Sequence, residues 1–284
     1  MPDINIVKID GRPLEKLIDT VKSAIGTLYR PTAIRKESLA EADRIVSIAQ
    51  AEAKATLIQG EADIELFERI KSRLYAEEKQ KQLNAEGVVN KTVKYLGETV
   101  SETPVDNDWR TRFFSKAQQI SNEEMQEVWA KILAEEVSAP GRISLRTLDI
   151  LSNLTKSEAE IFQRAITFTA DNMTILKLHE LDLEAYGLSY SGIMELRNAG
   201  LFHEGDDLGL TFTMKEGFDH VIFTFGKKIM NVKHPSLKSF TFNQIKLTQA
   251  GIELCSILNP EVDEKYFLDL KHYLSTLGYV LEEK

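Results

Sequence analysis

The sequence predicts a mainly α protein in three parts: a long N-terminal helical stalk, a helical hairpin core and a C-terminal α+β, winged-helix-like domain. Three observations carry that prediction. Residues 37–84 are dominated by Ala, Glu, Lys and Leu, all strong helix formers, and contain no proline. Pro140-Gly141 separates two amphipathic stretches, one with Met125, Val128, Trp129, Ile132 and Leu133 on a helical face, the other with Leu145, Leu148, Leu151 and Leu154. Beyond residue 171, β-branched and aromatic residues gather in short runs, with alternation from Thr241 to Leu247.

Length and composition bound the rest. A chain of 284 residues fits one to two domains plus an extended segment. With 43% hydrophobic and 28% charged residues it can build a core. The formal net charge of -9 disfavours a general electrostatic nucleic-acid binder, because neutralising phosphates needs a basic surface, but it leaves room for a local basic patch. The one cysteine, Cys255, allows no intrachain disulfide and sits in an apolar run as a small core residue, which suits a reducing compartment. Met1-Pro2-Asp3 opens without the basic and apolar segments of a secretory signal, and no stretch approaches the ~20 apolar residues of a spanning helix. The expected location is cytoplasmic, with peripheral contact at the inner face of the membrane as an option.

Residues 1–36 form the leader. Pro13 suits a first helical turn, and Leu14, Leu17, Ile18, Val21, Ile25 and Leu28 then recur at helical spacing until Arg30-Pro31. This face has two readings: it packs on the protein's own core or a partner subunit, or it enters a membrane interface or lines an assembled pore. The opposite face carries Glu15, Lys16, Asp19 and Lys22 and is not strongly cationic, which weakens the membrane reading.

Residues 37–97 form the stalk. Leu39 and Ala42, Ile45 and Ile48, Ile64 and Phe67, then Ile70 and Leu74 keep a helical beat without strict heptads. A continuous helix over residues 37–84 would be roughly 70 Å long. A helix of that length cannot bury its seam on a compact domain alone, so it implies a homo-oligomer. The alternative is a pair of helices folded back at Gln59-Gly60. Leu83 is expected to start a separate short helix that ends near Leu96-Gly97.

A polar connector rich in turn formers leads to the core unit, residues 105–170. Trp109, Phe113 and Phe114 are core residues by spacing. Ser121 with Glu124 and Thr155 with Glu158 each have capping-box spacing. Residues 171–284 form the last domain: a helix from Leu188 to Leu201 closed by Gly200, strands near residues 208–214, 220–225 and 240–247, a helix opened by Thr248 and ended by Asn259-Pro260, and an amphipathic helix from Asp263 to Leu277. A final short strand is expected at Tyr279-Val280-Leu281.

No catalytic, cofactor-binding or metal-ligating constellation emerges. His179, His203, His220, His234 and His272 are scattered, and none pairs with another ligand at zinc spacing. There is no glycine-rich phosphate loop, nucleophile elbow or kinase-type set. The expectation is a non-enzymatic protein without a cofactor. The order of helix, Leu-x-x-Ala-Gly-Leu, strands and helix matches a winged-helix module, with a wing around Gly226-Lys227-Lys228. Lys227, Lys228, Lys233 and Lys238 are its candidate nucleic-acid contacts, opposed nearby by Glu204, Asp206, Asp207, Glu216 and Asp219.

Several motifs carry a resemblance. They are Asp108-Trp109-x-x-Arg112-Phe113-Phe114, then Ser121-x-Glu123-Glu124-Met125-Gln126-x-x-Trp129-Ala130-Lys131-Ile132-Leu133-Ala134, and Pro140-Gly141-x-x-Ser144-Leu145-Arg146-Thr147-Leu148. With Leu247-Thr-x-x-Gly251-x-Glu253-Leu254 and the Ala/Glu-rich stalk, they resemble a bacterial family of unknown function, numbered 2806. The resemblance brings no established catalytic residues. Similar stalk-plus-sensor chains occur among bacterial phage-defence proteins, and the stalk looks like the helical part of stomatin-type scaffolds. The resulting expectation is a self-assembling protein whose leader contacts a membrane or forms an oligomer core, and whose residues 105–284 sense a protein trigger, as in antiviral defence. The alternative is a winged-helix DNA-binding regulator dimerised through the stalk.

Overall fold

The computed structural model describes residues 12–25, 61–178, 182–205, 209–213, 220–237 and 239–283. The stalk residues 37–60, Leu28 and Lys238 lie outside them. The chain divides into two compact units, Met1–Ile143 and Ser144–Lys284.

The first unit holds α1 (Arg12–Ile25), α2 (Glu61–Thr92), α3 (Asn107–Ala117) and α4 (Glu123–Ser138). No break occurs at Leu83. Helix α2 runs through it because Leu83-Asn84-Ala85-Glu86 contains no breaker; residues 64–83 bury nothing, and burial begins at Asn84, with Ala85, Val88, Val89 and Thr92, where it packs on α4. A 3-10 turn over Val93–Tyr95 follows. Asp106 caps α3 by accepting from the Trp109 amide. The cap of α4 is Asn122, which accepts from the Met125 amide, one residue beyond the expected Ser121. The core is aromatic: Trp109 stacks on Phe113 at 4.9 Å, and Phe113 lies 5.2 Å from the Trp129 ring. Trp109 Nε1 donates to the Ile143 carbonyl at 2.8 Å.

After α4 the chain turns at Pro140-Gly141, where Gly141 has a φ of +89°. The buried Glu136 carboxylate holds this turn, accepting from the Gly141 amide at 2.7 Å and the Ile143 amide at 3.1 Å.

The second unit alternates helices and strands: α5 (Leu145–Asn153), α6 (Lys156–Ile166), β1 (Thr169–Ala170), β2 (Thr174–Lys177), α7 (Tyr190–Asn198), β3 (Gly209–Thr213), β4 (Val221–Phe225), β5 (Lys228–Lys233), β6 (Ser239–Lys246), α8 (Gln249–Leu258), α9 (Glu264–Thr276) and β7 (Val280–Glu283). The Thr155–Glu158 capping box opens α6, and Thr248 caps α8. The strands form two antiparallel sheets, ordered β1-β2-β6-β3 and β4-β5-β7. The protein is therefore a mixed α+β fold with substantial sheet, which corrects the expectation of a mainly α chain. The helical stalk dominated that expectation, while β1 and β2 are too short to show a period in sequence. They are joined by Asp171-Asn172, both at positive φ, where the sequence showed only a change of pattern. Strand β6 alternates from Ser239 to Gln244, with Phe240, Phe242 and Gln244 buried and Ser239, Thr241 and Asn243 exposed, and then buries Ile245 on the other face.

Candidate functional site

Helix α2 changes character along its length. None of residues 64–83 is buried, whereas the last third docks on α4. Ile64 is 54% exposed, Leu66 48%, Ile70 39% and Tyr75 43%. Ile64, Phe67, Ile70 and Leu74 share one helical face, Phe67 and Leu74 being half-buried. Around that stripe the surface is charged and laced by ion pairs along the helix: Arg73 with Glu77 at 3.4 Å, Lys81 with Glu78 at 2.6 Å and Arg69 with Glu65 at 3.9 Å. Such pairs support an exposed helix but give its apolar stripe no cover.

The predicted leader face behaves differently. Leu17 and Val21 are buried, Leu14 and Ile18 are half-buried, and α1 lies against α3 and α4. Ile25 ends the helix. Lys16 Nζ donates to the Ser101 carbonyl at 2.6 Å, and Arg12 pairs with Glu102 at 2.9 Å. Burial lowers the Lys16 pKa, and the carboxylates of Glu102 and Glu136 oppose that shift.

The lysines of the β4–β5 hairpin are largely committed. Lys228 Nζ lies 2.6 Å from Glu264 and 4.8 Å from the centre of the Phe267 ring, and Lys233 pairs with Glu282 at 3.5 Å. Lys227 is exposed. The hairpin tip packs on the chain before α9: a Cβ on Gly226 would lie 3.1 Å from the Pro260 carbonyl oxygen and 3.3 Å from the Val262 nitrogen. Gly226 is thus needed both for its φ of +56° and for this approach.

Among the described residues, no three His, Cys, Asp or Glu side chains gather as metal ligands do. No described helix is long and apolar enough to cross a membrane. Cys255 is buried, and burial pushes its thiol up to about 11, against a weak hydrogen bond from Thr169. The Tyr186 hydroxyl is pushed up to about 12 by burial and by Asp269, to which it donates at 2.7 Å. Glu253 Oε2 on α8 accepts from the Ser144 amide at 2.8 Å and from Thr147 Oγ1 at 2.5 Å, and its Oε1 accepts from Gln249 at 3.0 Å. Among the described residues, Glu136 and Glu253 are buried carboxylates that spacing alone did not single out, since the amides and the hydroxyl that hold them, at Gly141, Ile143, Ser144 and Thr147, lie outside their own helices. The residues that carried the family resemblance thus do structural work: Trp109, Phe113, Phe114 and Trp129 fill the first core, and Ser144, Thr147 and Glu253 lock α5 to α8.

The model of a family described as protein of unknown function (DUF2806) matches residues 68–271. No curated protein and no solved structure matches the chain.

Proposed function

The chain belongs to the DUF2806 family, and from its geometry we propose that it is a non-enzymatic, self-assembling protein whose assembly surface is the first half of α2. The observation that carries this reading is the apolar stripe of Ile64, Phe67, Ile70 and Leu74 on a helical stretch that buries nothing in its own unit among the described residues. Helix α2 is 32 residues long, about 48 Å at ~1.5 Å per residue, so its free part can reach a second copy. Exposed aliphatic side chains in register on a helix gain most from a matching apolar face. In this reading the second unit, Ser144–Lys284, meets a protein trigger. Helix α1 belongs to the fold, and a membrane role for it would require Leu17 and Val21 to leave α3 and α4.

Mass photometry of the full-length protein tests the proposal. The expected result is an oligomer that Ile64→Glu with Ile70→Glu converts to monomer without changing the circular dichroism spectrum. A wild-type monomer at micromolar concentration, or an oligomer indifferent to both substitutions, refutes it.

A further inference from the structure

The chain carries nine surplus negative charges, yet the first unit brings several lysines close to one carboxylate. Three lysines are involved: Lys94 in the 3-10 turn and Lys131 on α4 both face the Tyr95 ring, and the charge of Lys91, at the end of α2, acts on the same Glu127 that Lys94 pairs with. Tyr95 stands between two of them, its ring centre 5.0 Å from Lys94 Nζ and 5.5 Å from Lys131 Nζ. Among the described residues, the carboxylate that answers their charge is Glu127. Its Oε1 lies 2.5 Å from Lys94 Nζ, and its Oε2 accepts from the Tyr95 hydroxyl at 2.7 Å. Lys91 donates instead to a neutral group, Gln126 Oε1, at 3.0 Å. Among the described residues, Lys131 has the Tyr95 ring and no carboxylate within ion-pair distance. Glu135, the next acid along that side of α4, is taken by Arg142 at 2.7 Å. Three ammonium groups against one carboxylate leave two uncompensated positive charges on one patch.

We propose that Lys91, Lys94 and Lys131 around Tyr95 form a binding site for a phosphate monoester dianion. A surplus of two charges matches a dianion, and ammonium groups on flexible stems suit a tetrahedral phosphate, which offers oxygens in several directions. The Tyr95 ring covers one side of the cations and limits their hydration there. In a chain that repels anions at long range, such local focusing is what a phosphate site requires. Glu127 already feels the cluster: burial pushes its carboxyl up, but hydrogen bonds from Lys94 and Tyr95 and the charges of Lys94 and Lys91 bring it below its ordinary value. A bound phosphate would compete with Glu127 for Lys94, so that carboxylate opposes the ligand. The site is independent of α2 self-assembly, since Ile64 to Leu74 take no part in it.

Calorimetry on the full-length protein at low salt, with glycerol 3-phosphate, tests the soluble source. Flotation with vesicles of phosphatidic acid in phosphatidylcholine tests the lipid source of the same headgroup chemistry. Saturable binding of either probe is expected, weakened roughly tenfold or more by Lys131→Gln, since a charge-assisted contact is lost. Glu127→Gln, which removes the competing carboxylate, is expected to tighten it. Both variants should melt with the wild type, as both side chains are at least partly solvated. Binding of neither probe overturns the proposal. So does a Lys131→Gln variant that binds like the wild type, or acetate giving the same heat as glycerol 3-phosphate.

Discussion

Replacing Glu253 by Ala should loosen the start of α5. The carboxylate is only 8% exposed and accepts from the Ser144 amide and the Thr147 hydroxyl. Each buried donor left without an acceptor costs about 1–3 kcal/mol. Among the described residues the Ser144 amide has this one acceptor, whereas Thr147 Oγ1 also lies 2.9 Å from Ser144 Oγ and can turn to it. The expected loss is therefore about 2–4 kcal/mol, below the sum of two full penalties. Glu253→Gln keeps an oxygen for the Ser144 amide and should cost about half as much. Both tryptophans, Trp109 and Trp129, lie in the first unit, so their fluorescence does not report this change. Hydrogen exchange of α5 and α8 peptides, together with urea unfolding followed by circular dichroism, does. A double-mutant cycle with Thr147→Val isolates the pair, because neighbours that share a hydrogen bond couple. A Glu253→Ala loss under about 0.5 kcal/mol, or an equal loss in the Thr147→Val background, refutes the reasoning.

Trp129 is fully buried against Phe113, so Trp129→Ala should cost about 3–5 kcal/mol in urea unfolding; a loss under about 1 kcal/mol would contradict that packing. Asp263 caps α9 through the Tyr266 amide at 2.8 Å and pairs with Arg164 at 2.9 Å. Burial pushes its carboxyl up, but the Tyr266 amide and Arg164 outweigh burial and hold it below its ordinary 3.8. Its stabilising contribution is therefore complete above that value and is lost as pH falls through the depressed one. Arg164→Ala should raise the pH at which acid unfolding of the second unit sets in, read by circular dichroism; an unchanged acid limb would show that the pair does not matter.

Much of the fold was legible where a residue's neighbours in sequence are its neighbours in space. The Thr155–Glu158 capping box, the Thr248 cap and the apolar spacing of Trp129, Ile132 and Leu133 are local, and each is found where spacing puts it. The sheets were less legible because their evidence is non-local. Thr174–Lys177 is a four-residue segment whose partner, β6, lies about seventy positions away, and nothing in its own composition announces that pairing. The same limit hid the lysine patch: Lys94 and Lys131 meet only because the 3-10 turn packs on α4, across 37 positions of chain. The lysines of the β4–β5 hairpin show the converse. Adjacent in sequence, they read as one basic surface, yet Lys228 and Lys233 are each turned to a carboxylate on a different element.

Two buried acids, Glu253 in a family motif and Glu136 between two of them, have structural partners. Glu136 places both oxygens on the amides of the Pro140-Gly141 turn, and Glu253 places its own on α5 and Gln249. A carboxylate used this way is buried and holds backbone in place. The same is true of Gln126, whose amide donates to the Ile120 carbonyl while its oxygen accepts from Lys91. What the chain offers outward is of another kind: an apolar stripe on α2 and a cluster of cations beside Tyr95. Both are surfaces suited to holding something, a second copy under the first proposal and an anion under the second. Their chemistry points to association rather than bond-making as the property to measure first.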